Sequence, residues 1–274
     1  MSETALERFR SLFGRKKPLI GMVHLAPLPG APRFSGRLEE VIERAVADAD
    51  ALCRGPVDGL MIENFNDAPF YPDAVEPETV AAITRVAAEV VRRASGRPIG
   101  INILRNAWKA SLAVAYVVGA SFVRMNVFTD PLVTDQGILA GAAHLAVRYR
   151  RALGAERVLI FADLYAKHGA PLAPRPLAVV ARDMASRGLA DAVIVSGDET
   201  GTPPREAEIR VVKDAVPGCP VVVGSGVAED TMDLLRHADG AICGSGLKKD
   251  GIVTAPVDPE RVRRLVAAFR TIER

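Results

Sequence analysis

A chain of 274 residues suits one large α/β domain or two small ones. Its 35 basic and 33 acidic residues are mixed along the chain, and a net charge of +2 with no block of one sign gives no footprint for nucleic-acid binding. The three cysteines, Cys53, Cys219 and Cys243, lie far apart and outside any Cys-x-x-Cys pair, so they read as reduced core residues of a cytoplasmic protein; no apolar run reaches the length of a membrane span.

In chain order, residues 1–17 carry charges at every turn and lack the apolar core of a secretion signal. Leu6, Phe9, Leu12 and Phe13 recur at helical spacing, which predicts an N-terminal helical extension that plugs the bottom of a barrel or packs on a partner subunit; a membrane-surface helix is the other reading. Strands are expected at 19–23, 57–62, 98–103, 122–127, 158–162, 192–195, 220–223 and 239–243, each a short apolar run closed by polar residues or glycine. Helices are expected at 37–54, 78–94, 107–118, 136–153, 176–187, 204–215, 229–236 and 259–272. Pro77 suits the first turn of the second of these.

Eight strands alternating with eight helices predict parallel pairing and right-handed crossovers. The count favours a single (β/α)8 TIM barrel over 18–274; a doubly wound sheet would show Gly-x-Gly-x-x-Gly after its first strand, and none is present. A composition of 49% hydrophobic but only 5% aromatic residues fits the Ala/Val/Leu interior of such a fold.

The polar residues that close the strands carry the functional signal. His24, Glu63, Asn64, Asn102, Arg124, Asn126, Asp163 and Ser196 all fall at a predicted C-terminal strand end, the catalytic face of this architecture. Glu63 and Asp163 are the acid/base candidates, and an ion pair to Arg124 or Arg105 is the structural alternative that would keep both ionised. Lys167 and His168 follow the fifth strand and join His24 as further catalytic candidates, Lys167 as a substrate clamp or proton donor. Asn64, Asn102, Arg105, Arg124, Asn126 and Ser196 are substrate-binding candidates. Trp108, beside Arg105 and Asn106, either stacks on a ligand ring or packs. Strand six holds no lysine for Schiff-base chemistry.

Strands seven and eight end in Gly224-Ser225-Gly226 and Gly244-Ser245-Gly246, the usual phosphate position of a barrel, with Lys248 as the expected charge partner. A divalent metal on His24, Glu63, Asp163 and His168 is an open alternative, although no pair has tight ligand spacing. No other cofactor is implied.

Three early blocks, Gly21-Met22-Val23-His24-Leu25 with Pro27-Leu28-Pro29-Gly30, Glu63-Asn64-Phe65-Asn66-Asp67-Ala68-Pro69-Phe70, and Gly100-Ile101-Asn102-Ile103-Leu104-Arg105-Asn106, resemble the BtpA/SgcQ family. So do Arg124-Met125-Asn126-Val127-Phe128, Ala162-Asp163 with Lys167-His168, and the run from Asp191 to Gly197. The resemblance implies a TIM barrel similar to the ribulose-phosphate-binding barrels. The family takes its name from a member needed for photosystem I biogenesis in thylakoids, which would allow peripheral membrane association. Another member is described as a predicted enzyme or nucleoside triphosphatase, but no P-loop is present here.

The leading expectation is an enzyme that acts by acid/base chemistry on a small phosphorylated sugar or other anionic metabolite, of isomerase, epimerase or lyase type, and that forms a homo-oligomer. The alternatives are a metal-assisted hydrolase or glycosidic-bond-cleaving enzyme, and a non-catalytic photosystem I assembly or scaffold protein working through its helical exterior. The scaffold reading predicts that changes at Leu6, Phe9 and Phe13 do more damage than changes at Glu63.

Overall fold

The computed structural model describes residues 3–272, so positions 1–2 and 273–274 of the two expected segments lie outside it. In chain order its strands are β1 (Leu19–His24), β2 (Gly59–Glu63), β3 (Ile99–Asn102), β4 (Phe122–Met125), β5 (Leu132–Thr134), β6 (Gly137–Leu139), β7 (Leu159–Asp163), β8 (Gly169–Pro171), β9 (Ala192–Val195), β10 (Val221–Val223) and β11 (Gly240–Cys243). All but β5, β6 and β8 form a closed parallel ring in sequence order, with β11 returning to β1. The protein is a TIM barrel. Its helices are α1 (Ala5–Phe13), α2 (Leu38–Arg54), α3 (Pro77–Arg93), α4 (Trp108–Val118), α5 (Ala143–Ala152), α6 (Leu177–Arg182), α7 (Glu206–Ala215) and α8 (Pro259–Thr271).

Three expected helices differ. The stretch 136–153 is helical only from Ala143. Its first residues supply the turn and second strand of the β5–β6 hairpin, with Gly137 at φ of +98° and Thr134 Oγ1 accepting the Gln136 N–H at 3.2 Å. Gly141 then lets the chain pass close to the Thr129 carbonyl, which an added Cβ would strike at 2.0 Å. The stretch expected as a helix over 229–236 is a 3-10 helix, Glu229–His237, and Thr231 Oγ1 donates back to the Gly226 carbonyl at 2.8 Å. In the sixth unit α6 continues as a π-helical turn, Asp183–Arg187.

Alternate residues of each barrel strand face inward, and the lower two layers are apolar. Ile20, Met22, Met61, Phe122, Leu159, Phe161, Ala192, Ile194, Val222 and Ile242 pack in one cluster. Gly100 takes no side chain there because a Cβ would meet the Phe122 ring at 2.2 Å. The floor is closed by α1, whose buried Phe9 and Phe13 join this cluster; Phe122 and Phe161 stack above them with centroids 4.5 Å apart. Thr4 and Glu7 form a capping box that starts this helix.

One layer further up, the same alternation changes character. His24, Glu63, Asn102, Arg124, Asp163 and Ser196 each stand two residues beyond an inward position, as do Gly224 and Gly244. The pleat therefore delivers the polar strand ends to the barrel's interior at its C-terminal mouth.

Candidate active site

At the mouth, β1 and β2 place His24 opposite Glu63, and β3 places Asn102 opposite Glu63 on the other side. Asn102 donates its Nδ2–H to Glu63 Oε2, and Glu63 Oε1 lies 3.6 Å from His24 Nε2. The His24 ring lies against Phe65, 4.6 Å between centroids, and its buried Nδ1 has no formed hydrogen bond. Burial pushes its pKa down to about 3, and the Lys248 and Lys167 charges add to the shift. His24 is thus a neutral imidazole at working pH, and Glu63 is oriented by a neutral amide rather than neutralised by an ion pair.

Asp163 takes the structural alternative. Arg124 grips it bidentately, Nε to Oδ2 at 2.9 Å and Nη2 to Oδ1 at 2.8 Å, and Asn126 Nδ2 adds a third bond to Oδ2 at 2.7 Å. The whole group is buried; although burial disfavours the Arg124 charge, Asp163 holds its pKa above the usual value. A carboxylate committed to three donors is a poor proton shuttle, so Asp163 fixes Arg124 in place. Ser196 Oγ and Asn126 Oδ1 are buried at this layer without partners.

Lys167 and His168 are positioned by a small antiparallel sheet in which β5 pairs with both β6 and β8. The loop leading into β8 is tied down by the Arg105 guanidinium, which donates to the Lys167 carbonyl, and by the His168 N–H, 3.0 Å from the Asp198 carbonyl. Burial, together with the Arg124 charge, lowers the Lys167 pKa to about 8. His168 is exposed, with Nε2 3.2 Å from Thr200 Oγ1.

The mouth has two lobes. A wider one, about 260 Å³, is bordered by Arg33, Glu63, Arg105, Arg124, Asn126, Lys167 and His168. A narrower one, about 30 Å³, lies against both Gly-Ser-Gly loops and is covered by Thr200, Gly201 and Val253; it has room for only a water or two. Glu63, Phe65, Arg124, Lys167 and Thr200 wall both. A larger groove of about 790 Å³ runs outside the barrel beside α4 and β6, where Trp108 packs edge-on to Tyr149; it contains none of the acid/base candidates.

Several expected site residues are used otherwise. Lys248 is fully buried and pairs with Asp48 on α2, Nζ to Oδ2 at 2.6 Å, so its ammonium is not available to a phosphate. Asn64 is spent within the protein, donating to Asp67 Oδ2 at 2.9 Å and accepting the Leu104 N–H at 2.7 Å. Ser225 Oγ accepts the Gly197 N–H at 2.9 Å and donates to the Thr202 carbonyl at 2.7 Å, which braces the covering loop.

Gly244 serves space as well as backbone access, whereas Gly224 serves space, its N–H being donated to the Val195 carbonyl at 2.9 Å. A Cβ at Gly224 would meet Ser196 Oγ at 2.5 Å, and one at Gly244 would meet the His24 ring at 3.0 Å. Gly226 has φ of +65° and abuts Pro203, while Gly246 abuts the Val227 carbonyl; a side chain fits at neither. The four residues considered for a metal are not gathered into a ligand set: Asp163 is committed to Arg124, His168 is turned to Thr200, and no cluster of three metal-binding side chains occurs among the described residues. The loop residues Phe65, Thr200 and Arg33 had no strand-end position to mark them. Phe65 alone had a signal, standing inside the block that follows Glu63.

No helix among the described residues is long and apolar enough to cross a membrane. Known structures share the architecture at low identity. N-(5'-phosphoribosyl)anthranilate isomerase of Pyrococcus furiosus superposes with a TM-score of 0.54 at 12% identity, over 93% of this chain and 99% of that one. KGPDC of Streptococcus mutans gives 0.58 at 13%, over 94% and 99%.

Sequence relatives are much nearer. The Photosystem I biogenesis protein BtpA of Synechocystis is 43% identical, covering 94% of this chain and 89% of its own. An uncharacterized protein of Thermococcus kodakarensis is 42% identical over 92% and 94%, and a mitochondrial uncharacterized protein of Caenorhabditis elegans is 32% identical over 96% and 97%. With the BtpA family model matching residues 15–271, the chain belongs to the BtpA family.

Proposed function

We propose that this protein is an enzyme that moves a proton on a small phosphorylated sugar or related anionic metabolite, as an isomerase, epimerase or lyase does. The observation that supports it is the shared wall of the two lobes, where Glu63 and Lys167 both border the space on either side. Glu63, held by Asn102, is the general base, and Lys167, with its pKa lowered to about 8, returns the proton. Arg124, fixed by Asp163, and the neutral His24 polarise the oxygen that becomes anionic.

The phosphate end is assigned to the amides of Ser225, Gly226 and Gly244 to Gly246, since the Gly224 N–H is already donated to the Val195 carbonyl at 2.9 Å. That lobe, about 30 Å³ between the glycine loops, Thr200 and Gly201, is smaller than a phosphate and has to widen to admit one. The named activities of the distant barrels lend their architecture and no more.

The test is solvent exchange. Candidate ketose, aldose and hydroxy-acid phosphates are incubated with enzyme in D2O, and carbon-bound deuterium is followed by NMR. Wild-type protein should label one of them, and Glu63→Gln should slow labelling by about a hundredfold or more. Undiminished labelling by Glu63→Gln removes Glu63 from the chemistry.

A further inference from the structure

Arg105 lies just beyond β3 and is only 6% exposed, yet among the described residues it forms no ion pair. Its guanidinium makes one hydrogen bond to the protein, to the Lys167 carbonyl, and its Nε is buried with no partner. The carboxylates whose charges act on it are otherwise engaged: Asp163 by Arg124 and Asn126, Glu63 by Asn102, and Asp135 by Gln136. Buried guanidinium groups are almost always paired, so an unpaired one bordering a cavity of about 260 Å³ lacks its counter-ion. Asn126 borders the same lobe, 4% exposed, with its Nδ2 spent on Asp163 and its Oδ1 unpartnered.

The geometry points to a carboxylate subsite in the wide lobe: Arg105 grips the carboxylate, and Asn126 Oδ1 accepts from a hydroxyl on the neighbouring carbon. A planar fork of donors matches a carboxylate edge to edge, whereas an isolated carbonyl oxygen asks for a donor. The substrate is therefore a phosphorylated hydroxy acid, its carboxylate beside Arg105, its phosphate toward the glycine loops, and its reacting carbon between Glu63 and Lys167. The carboxylate subsite stands on Arg105 and Asn126 alone; the phosphate and the reacting carbon are placed by the proposed function.

Calorimetric titration with three probes tests it: 3-phosphoglycerate, glycerol 3-phosphate and glycerate. Wild-type protein should bind 3-phosphoglycerate about tenfold or more tightly than glycerol 3-phosphate, and should bind glycerate weakly. Arg105→Gln should bring the ratio of the two phosphates near one, and Arg105→Lys, which keeps charge but loses the fork, should fall between. Equal wild-type affinities, a ratio unchanged in Arg105→Gln, or failure of both carboxylates to bind overturns the subsite. So does an equal loss of both phosphates in Arg105→Gln, since Arg105 would then hold the phosphate.

The wild-type comparison needs no variant, so a poorly folding Arg105→Gln does not rescue the idea. If the ratio behaves as expected while no substrate exchanges its proton, the acid/base reading falls and the subsite stands. If exchange is lost in Glu63→Gln while the ratio ignores Arg105, the reverse holds.

Discussion

Lys167 and His24 both carry pKa values displaced by burial, and each displacement has a sign that can be checked. As a proton donor with a pKa of about 8 in the free protein, Lys167 should give kcat/KM an alkaline limb near pH 8. In Lys167→Arg the side chain stays charged and cannot donate, so the rate should drop about a hundredfold and the limb should vanish. A wild-type profile flat through pH 9 contradicts the assignment. His24 affects stability as well. Its folded pKa of about 3 lies below the usual 6.5, so between those values the unfolded chain binds a proton that the folded chain refuses. Stability therefore falls as pH drops through this window, by up to about 1.4 kcal/mol per pH unit. Urea unfolding at pH 7 and pH 5 should show a smaller loss for His24→Asn than for wild type; identical losses would contradict the burial. At this scale the sequence exposed which residues reach the mouth, since strand parity follows from the apolar pattern. It could not say that Asp163 is spent on Arg124, because both outcomes were compatible with the same strand ends.

Among the elements, α1 answers a question left open by its sequence. Spacing alone allowed Phe9 and Phe13 to face a barrel floor, a partner or a membrane. The structure turns both into the floor, Phe9 with no exposed surface and its ring 5.6 Å from that of Phe161. Phe9→Ala should cost about 3–5 kcal/mol, read from the midpoint of denaturant unfolding with an unchanged slope. A loss below about 1 kcal/mol would mean that the floor collapses to fill the space. Because these side chains are internal, damage on their removal says nothing for a scaffold role, and comparing them with Glu63 does not separate the two classes. The β5–β6 hairpin was hidden for a different reason. Its strands are three residues each, and the following run from Ala143 is helical, so the helical period overran a turn marked only by Thr134 and Gly137. That hairpin carries β8 and with it Lys167, which is why the loop position of the lysine was legible but its burial was not.

For the molecule as a whole, the barrel must close between its first and last units, and Asp48 with Lys248 bridges that seam. Asp48 on α2 binds Lys248 Nζ with one oxygen and the Val257 N–H with the other, at 2.7 Å, joining residues about two hundred positions apart. Sequence could not disclose the pairing, since nothing local links the two, and the glycine loop beside Lys248 suggested a phosphate instead. The two assignments predict opposite outcomes. A phosphate ligand changed to Met should lose affinity for inorganic phosphate with little change in stability. A buried seam pair broken by Lys248→Met leaves the Asp48 charge uncompensated and should cost about 3–5 kcal/mol, with phosphate affinity unchanged in the folded protein. Replacing both partners, Asp48→Asn with Lys248→Met, should recover part of that loss, because the amide oxygen still accepts from the Val257 N–H and no charge remains buried. Additive losses in the double variant would show that the two side chains do not act as a pair, and a fall in phosphate affinity at full stability would return Lys248 to the binding site.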